Sequence, residues 1–223
     1  AIGRPGFKCV SFPTIEIKPV NFSLPGNDYD WVVFTSKNAA ALFVKRIGKY
    51  FFKRKKIAAI GAETAALLAS KGLHPSFIAK GSGSECFVRE FSRGFPVSGK
   101  KFLLPVSFQA GETIASRLSG KGGSVRTLGV YRTVKPRVGP KTALSFMNNG
   151  PYYFIFFSSP SSFRNFMTIK GFGKLLDTCR TAAMGPATAS AMKAHGVTPD
   201  IIGKAASFSG ILEEIVKYKG GTK

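Results

Sequence analysis

Four short stretches of this chain put hydroxyl, glycine and lysine residues where an apolar run gives way to a helix-forming run: residues 35–38 (TSKN), 61–64 (GAET), 158–162 (SSPSS) and 185–188 (GPAT). The first turn of a helix has backbone N–H groups without intrahelical partners and carries the positive end of the helix dipole, so each stretch favours an anion. Ser36, Lys37, Gly61, Thr64, Ser158, Ser159, Gly185 and Thr188 are therefore the candidate anion-binding residues. Gly61, Ala62, Gly185 and Ala187 are small enough to let a ligand approach the main chain. Ser36 and Ser159 have the chemistry of helix N-caps, with Pro160 suited to a first helical position. Thr64 and Thr188 read equally well as caps or as ligand contacts. Tyr131, at the end of the strand-like "GVYRTV", is one of the few remaining proton donors, and it reads either as a hinge or core residue or as a general acid.

Other chemistries find little support. There is no GxSxG elbow, Walker A loop, GxGxxG or HExxH, and the 11 acidic residues form no evident carboxylate pair. Cys9, Cys86 and Cys179 lack CxxC spacing, and His74 and His195 each precede or follow a helix-ending Gly, where a cation suits the helix C-terminus, so no metal site is expected. Sparse cysteines, no signal-peptide core at the N-terminus and no long apolar run point to a cytoplasmic chain without a membrane span. The 33 Lys and Arg against 11 Asp and Glu give +22, which calls for an anionic partner: nucleic acid, an acidic membrane surface or a polyanionic small molecule. The basic residues are scattered, and the one cluster, KRKK at 53–56, reads as a solvated turn before a strand rather than a nucleic-acid patch.

The elements that must position these residues follow from a repeat. "AAIGAETAALLASKGLHPSFIAK" from Ala58 and "AAMGPATASAMKAHGVTPDIIGK" from Ala182 align without a gap, a constant 124 positions apart as Gly61 is from Gly185. Each reads as strand, helix, Gly stop and a second strand after a proline. Upstream, "DYDWVVFTSKNAAALFVKRI" answers to "PYYFIFFSSPSSFRNFM" with Ser36 matching Ser159, one position closer together. Between the copies lie a strand at 101–104, a helix near 111–118 and a strand at 125–131; a last helix spans 208–218. Alternating β and α implies parallel sheets covered by helices. At 44% apolar and 20% charged, 223 residues suit two domains. The expectation is an α/β protein of two similar lobes, each a parallel sheet flanked by helices, joined by a two-stranded extended connector. One lobe, 20–133, is inserted into a discontinuous lobe of 1–17 plus 136–223, with connectors near 14–20 and 130–137. The segment "GFKCVSFPTIEIKPV" is expected to lend a strand to the discontinuous lobe.

The motifs "PTIEI", "DWVVFTSKNAA", "KIAAIGAETAALLASKGL", "VYRTV", "FIFFSSPSSFRNF" and "AAMGPATASAMKAHG" resemble, in order and spacing, those of uroporphyrinogen-III synthases over nearly the whole chain. The resemblance implies a two-lobe enzyme of tetrapyrrole synthesis that uses no metal or organic cofactor. Its substrate would be hydroxymethylbilane, which carries eight carboxylates and would be handed over from hydroxymethylbilane synthase to a monomer that binds neither nucleic acid nor membrane. In that reaction the ring A hydroxyl leaves, ring D attacks through its substituted position, and a spiro intermediate rearranges to close the macrocycle with ring D inverted. Tyr131 falls on the family's candidate acid. Ser36, Thr64, Ser158, Ser159 and Thr188 fall on positions that resemble substrate contacts made largely through backbone N–H groups. Two features depart from the pattern: the family's first strand and helix are missing ahead of "GFKCVSFPTIEI", and Val106 stands where many relatives carry a basic residue. A non-catalytic module binding a tetrapyrrole or another polyanion, and a nucleic-acid-binding protein, are the competing readings; neither accounts for the repeated turns together with "VYRTV".

Overall fold

The computed structural model describes residues 9–81, 84–111, 113–138, 140–203 and 208–218. Packing divides the chain into two units, Ile17–Thr133 on the one hand and Ala1–Glu16 with Val134–Lys223 on the other.

The Ile17–Thr133 unit is built on a six-stranded sheet. Along the chain come β1 (Glu16–Pro19), β2 (Trp31–Phe34), α1 (Lys37–Ile47), β3 (Lys56–Ile60), α2 (Ala62–Ser70), β4 (Phe77–Ala79), α3 (Ser84–Gly94), β5 (Lys101–Ser107), α4 (Thr113–Ser119) and β6 (Ser124–Val134). The strand order is β1-β6-β5-β2-β3-β4, and β6, β5, β2, β3 and β4 pair in parallel. Strand β2 shows why: all four residues of WVVF are buried, as a central strand covered on both faces requires. Val32 and Phe34 join Phe43 of α1 and Leu68 of α2 in one cluster. Trp31 and Val33 face the other way, against Phe87 and Phe91 of α3 and Leu118 of α4. Burying a ring such as Phe43 or Phe91 stabilises the unit by about 1.5–3 kcal/mol. The KRKK run is a turn that enters β3, with Lys53 and Arg54 exposed, Lys55 Nζ 4.4 Å from the Phe51 ring centre and Lys56 Nζ 5.6 Å from that of Trp31.

The second unit repeats the plan with fewer strands. It contains α5 (Pro140–Asn148), β7 (Phe154–Phe157), α6 (Pro160–Met167), α7 (Leu175–Thr178), β8 (Arg180–Ala183), α8 (Pro186–Lys193), β9 (Ile201–Ile202) and α9 (Phe208–Lys217). Strands β7, β8 and β9 lie in that order and in parallel. Ile155, Phe157 and Ala183 pack with Phe163 of α6 and Met192 of α8, and Ala182 packs with Ile211 and Ile215 of α9 on the opposite face. His195 reaches back to the Ala191 carbonyl at 3.0 Å, at the C-terminal end of α8.

The sequence repeat is a repeat of register. Val33 pairs with Ala58 and Ala58 with Phe77; Phe156 pairs with Ala182 and Ala182 with Ile201. Both helices stop alike. Gly72 at φ +72° and Gly196 at φ +75° take up the left-handed conformation. The next residue then donates back into the helix, Leu73 N to Leu68 O and Val197 N to Met192 O, each at 3.0 Å.

One expectation is corrected. Of the segment 6–20, expected to lend a strand to the discontinuous lobe, residues 9–15 form no strand and Glu16–Pro19 form β1, which joins the six-stranded sheet beside β6 instead; residues 6–8, with the rest of 1–8, lie outside the described residues. Residues 9–15 attach by side chains and a single carbonyl. The Phe12 ring sits 4.6 Å from that of Phe146 and 5.0 Å from that of Phe172, and Asn165 Nδ2 donates to Thr14 O at 2.8 Å. Pro13, which has no N–H to give a ladder, lies between those two anchors. Among the described residues no helix is long and apolar enough to cross a membrane.

Candidate active site

Tyr131 owes its direction to an irregularity in β6. Strands β5 and β6 pair in step up to Val106 with Gly129, and then Ser107 pairs with Tyr131, so that Val130 is an extra residue on the β6 side. In an even strand Leu128 and Val130 would share one face and Tyr131 would point to the other. The bulge breaks that alternation. Val130 and Tyr131 are both buried, and both lie in the cluster formed with Phe34, Ala39 and Phe43. Tyr131 is 8% exposed, and its hydroxyl comes within 3.3 Å of Ser36 Oγ.

Ser36 is the N-cap of α1: its backbone is extended and its Oγ accepts from Ala39 N at 3.2 Å. A hydroxyl that accepts from the helix and stands beside a phenol can pass on or receive a hydrogen bond from either side. Ser159 is the corresponding cap of α6. It accepts from Ser162 N while Ser162 Oγ accepts from Ser159 N, a reciprocal box built with serine in place of the usual Glu or Gln. Ser158, one residue earlier, is exposed.

Gly61 and Gly185, the N-caps of α2 and α8, differ more than the repeat implies. Gly61 has φ +81°, in the region that favours glycine, whereas Gly185 at φ −175° has an extended backbone that any residue adopts. A Cβ added at either would meet no atom within 4 Å, so both main chains are open to approach. Thr64 and Thr188 occupy the third position of their helices and are 4% and 3% exposed. Neither hydroxyl makes a hydrogen bond among the described residues, and neither is a buried polar orphan, so each keeps an edge toward solvent. Side-chain capping is thus not their role.

Lys37 does not stand free. Its Nζ pairs with Glu63 Oε2 at 2.8 Å, tying the first turns of α1 and α2 together across the ends of β2 and β3. The pair is mostly solvent-exposed and adds little stability. Its effect is to cancel the lysine charge at that point, leaving the backbone N–H groups as the local source of positive potential. In this unit the structure thus gathers Ser36 with Tyr131, and Lys37 with the first turn that holds Thr64. Ser158, Ser159, Gly185 and Thr188 belong to the other unit.

A cavity of about 400 Å³ opens beyond the carboxyl ends of β2 and β5, lined among others by Thr35, Ser84, Val106, Ser107, Thr113 and Thr127. Ligands of open α/β sheets bind at such ends. At the end of β4, Glu90 accepts from Lys80 N, Gly81 N and Cys86 Sγ. The Cys86 bond and then the Lys80 bond hold the Glu90 carboxyl below its ordinary pKa, and the bond to Glu90 pushes the Cys86 thiol up, away from the thiolate form. Among the described residues no three His, Cys, Asp or Glu side chains gather to hold a metal ion.

Comparison with known proteins agrees with this architecture. A family profile described as uroporphyrinogen-III synthase HemD matches residues 1–213. The uroporphyrinogen-III synthase of Chlorobaculum parvum is 26% identical over 206 residues, which cover 88% of this chain and 83% of that protein. That of Synechococcus elongatus is 28% identical over 176 residues, 72% of this chain and 65% of that protein. Among solved structures, the uroporphyrinogen-III synthetase of Helicobacter pylori 26695 has the same fold, with a TM-score of 0.71 at 17% identity over 91% of this chain and 90% of that one. The chain belongs to the uroporphyrinogen-III synthase family, whose reaction is the cyclisation of hydroxymethylbilane to uroporphyrinogen III.

Proposed function

We propose that this chain closes hydroxymethylbilane to uroporphyrinogen III with Tyr131 as the general acid, supported by Ser36. The observation that carries the assignment is the 3.3 Å approach of the Tyr131 hydroxyl to Ser36 Oγ at the start of α1, on the edge of the sheet where its parallel strands end. The phenol gives its proton to the ring A hydroxyl, which departs as water and leaves an N-protonated azafulvene cation beside the phenolate. Ring D attacks through its substituted carbon to give the spiro intermediate. Fragmentation and re-addition close the ring with D inverted, and the proton then released from the pyrrole carbon returns to the phenolate. One water leaves and no net proton is consumed.

The groups suited to the substrate's carboxylates are the backbone N–H groups at helix starts: in the inserted unit those that follow Ser36 and Gly61, with Lys37 and Thr64 beside them, and in the other unit, taken by itself, those that follow Ser159 and Gly185, with Ser158 and Thr188 beside them. What supports this is the open main chain at Gly61 and Gly185 and, among the described residues, the absence of competing side-chain bonds at Thr64 and Thr188. Because the linear bilane closes unaided to the symmetric isomer, the protein's task is to orient the chain and hasten loss of the hydroxyl. The reading routes no step through a cofactor. In it the chain is a cytoplasmic monomer that takes the bilane from hydroxymethylbilane synthase, and the inserted lobe is the part that carries Tyr131.

The test is an isomer assay: hydroxymethylbilane is generated in situ, the protein is added, and the oxidised uroporphyrins I and III are resolved by chromatography. Tyr131→Phe should lower the rate of isomer III formation about 10²-fold while the fold and substrate binding persist. A variant with the parental rate would remove Tyr131 from the mechanism.

A further inference from the structure

The bulge that turns Tyr131 toward Ser36 needs something to hold it. An extra residue in one strand breaks the ladder locally, and the main-chain groups beyond it need new partners. Here β5 also ends at Ser107, opposite Tyr131, while β6 runs on to Val134. Residues 107–110 turn away from the sheet, with Ala110 N donating to Ser107 O at 3.0 Å.

The turn supplies the partners that β5 no longer provides. Phe108 N donates to Tyr131 O at 2.9 Å. The Gln109 side chain then takes the place of a peptide: its Nε2 donates to Thr133 O at 3.0 Å, and its Oε1 accepts from Thr133 N at 3.2 Å. The carboxamide is itself held in place. Ser107 Oγ donates to Gln109 Oε1 at 2.7 Å and accepts from Gln109 N at 3.2 Å. One exposed side chain thus extends the β5–β6 pairing past the end of β5, two residues beyond the phenol.

We propose that Gln109 is a positioning residue for Tyr131: by pairing with both main-chain groups of Thr133 it holds the β6 bulge that aims the phenol at Ser36. The inference rests on the assignment of Tyr131 as the acid, and its test separates the two. Gln109→Met keeps the length of the side chain and removes both polar atoms at an exposed site, so the fold should survive. With hydroxymethylbilane as substrate, kcat for isomer III should fall about fivefold, the worth of one typical hydrogen bond, with KM within about twofold of the parent. In a Tyr131→Phe background the same substitution should have no further effect, because its influence passes through the phenol. A 3-fluorotyrosine at position 131 gives a readout independent of turnover, and its fluorine resonance should shift or broaden in Gln109→Met. A full additional loss in the Tyr131→Phe background, a change confined to KM, or an unmoved fluorine line would each overturn the proposal. If Tyr131→Phe keeps the parental kcat, the acid assignment fails on its own, and the fluorine line alone then decides whether Gln109 positions the ring.

Discussion

The two glycines that cap α2 and α8 allow stability and binding to be separated. Gly61→Ala forces a Cβ onto a backbone at φ +81°, which costs about 1–2 kcal/mol. Alanine is also the poorer cap, so a Tm drop of roughly 3–8 °C follows for a chain of this size. Gly185→Ala meets no such strain, because φ is −175° and no atom lies within 4 Å of the new methyl. Its poorer cap is offset by the lower entropy of the unfolded chain, about 0.4–1 kcal/mol, leaving Tm within about 2 °C of the parent. Both methyl groups nonetheless add bulk at helix starts whose N–H groups are proposed to hold substrate carboxylates. Loss of one charge-assisted hydrogen bond there should raise KM about tenfold in either variant. Differential scanning fluorimetry with the isomer assay reads both quantities. A Gly185→Ala protein as destabilised as Gly61→Ala would refute the conformational argument, and one with parental KM would refute the role of the α8 amides.

Two further outcomes follow from the packing and the charges. Phe12→Ala should destabilise the protein by about 2–3 kcal/mol in urea unfolding, because the half-buried ring packs against both Phe146 and Phe172 and its loss leaves a gap beside them; a loss below about 0.5 kcal/mol would mean that residues 9–15 are not anchored by this ring. Asp30 accepts from Lys101 N at 2.8 Å, and that bond, with Lys100 and Lys101 nearby, holds its carboxyl below the ordinary 3.8. The folded chain therefore takes up this proton less readily than the unfolded one, so the contribution is present above the ordinary value and is lost as pH falls through the lower folded value. Asp30→Asn should melt below the parent at about pH 6 and converge with it near pH 2, whereas parallel Tm curves would contradict the assignment.

What the chain discloses locally is what local physics controls. The strand, helix and Gly stop of each repeat could be read because apolar runs, caps and left-handed glycines act over a few residues, and the same holds for Ser36 and Ser159 as caps. Helix α3 is legible in the same way, since Phe87, Val88 and Phe91 sit at helical spacing and all are buried. Other features depend on distant partners. Nothing near Lys37 announces Glu63, and nothing near Tyr131 announces a bulge, which exists only in the pairing of β6 with β5, where the register shifts between Val106 and Ser107. Gln109 carried no signal either, since a glutamine in a polar turn looks like any solvated side chain until Thr133 is placed beside it. The equivalence of Gly61 and Gly185 in the alignment hid a backbone difference of kind, because one-letter identity does not record φ. The segment 6–20 invites a strand for the discontinuous lobe because that lobe has few of its own, but at residues 9–15 the chain is held by the Phe12 ring instead, a partnership with Phe146 and Phe172 that no local pattern announces.

The Lys37–Glu63 pair leaves main-chain amides as the donors at the starts of α1 and α2. A surface made of amides is written in no particular side chain. Any residues that begin the helix at the same place reproduce it, so a hold on carboxylates of the kind proposed above would survive substitutions around it. The exacting positions are then the few that shape the main chain or donate a proton, and inheritance of the activity should track those few rather than overall likeness.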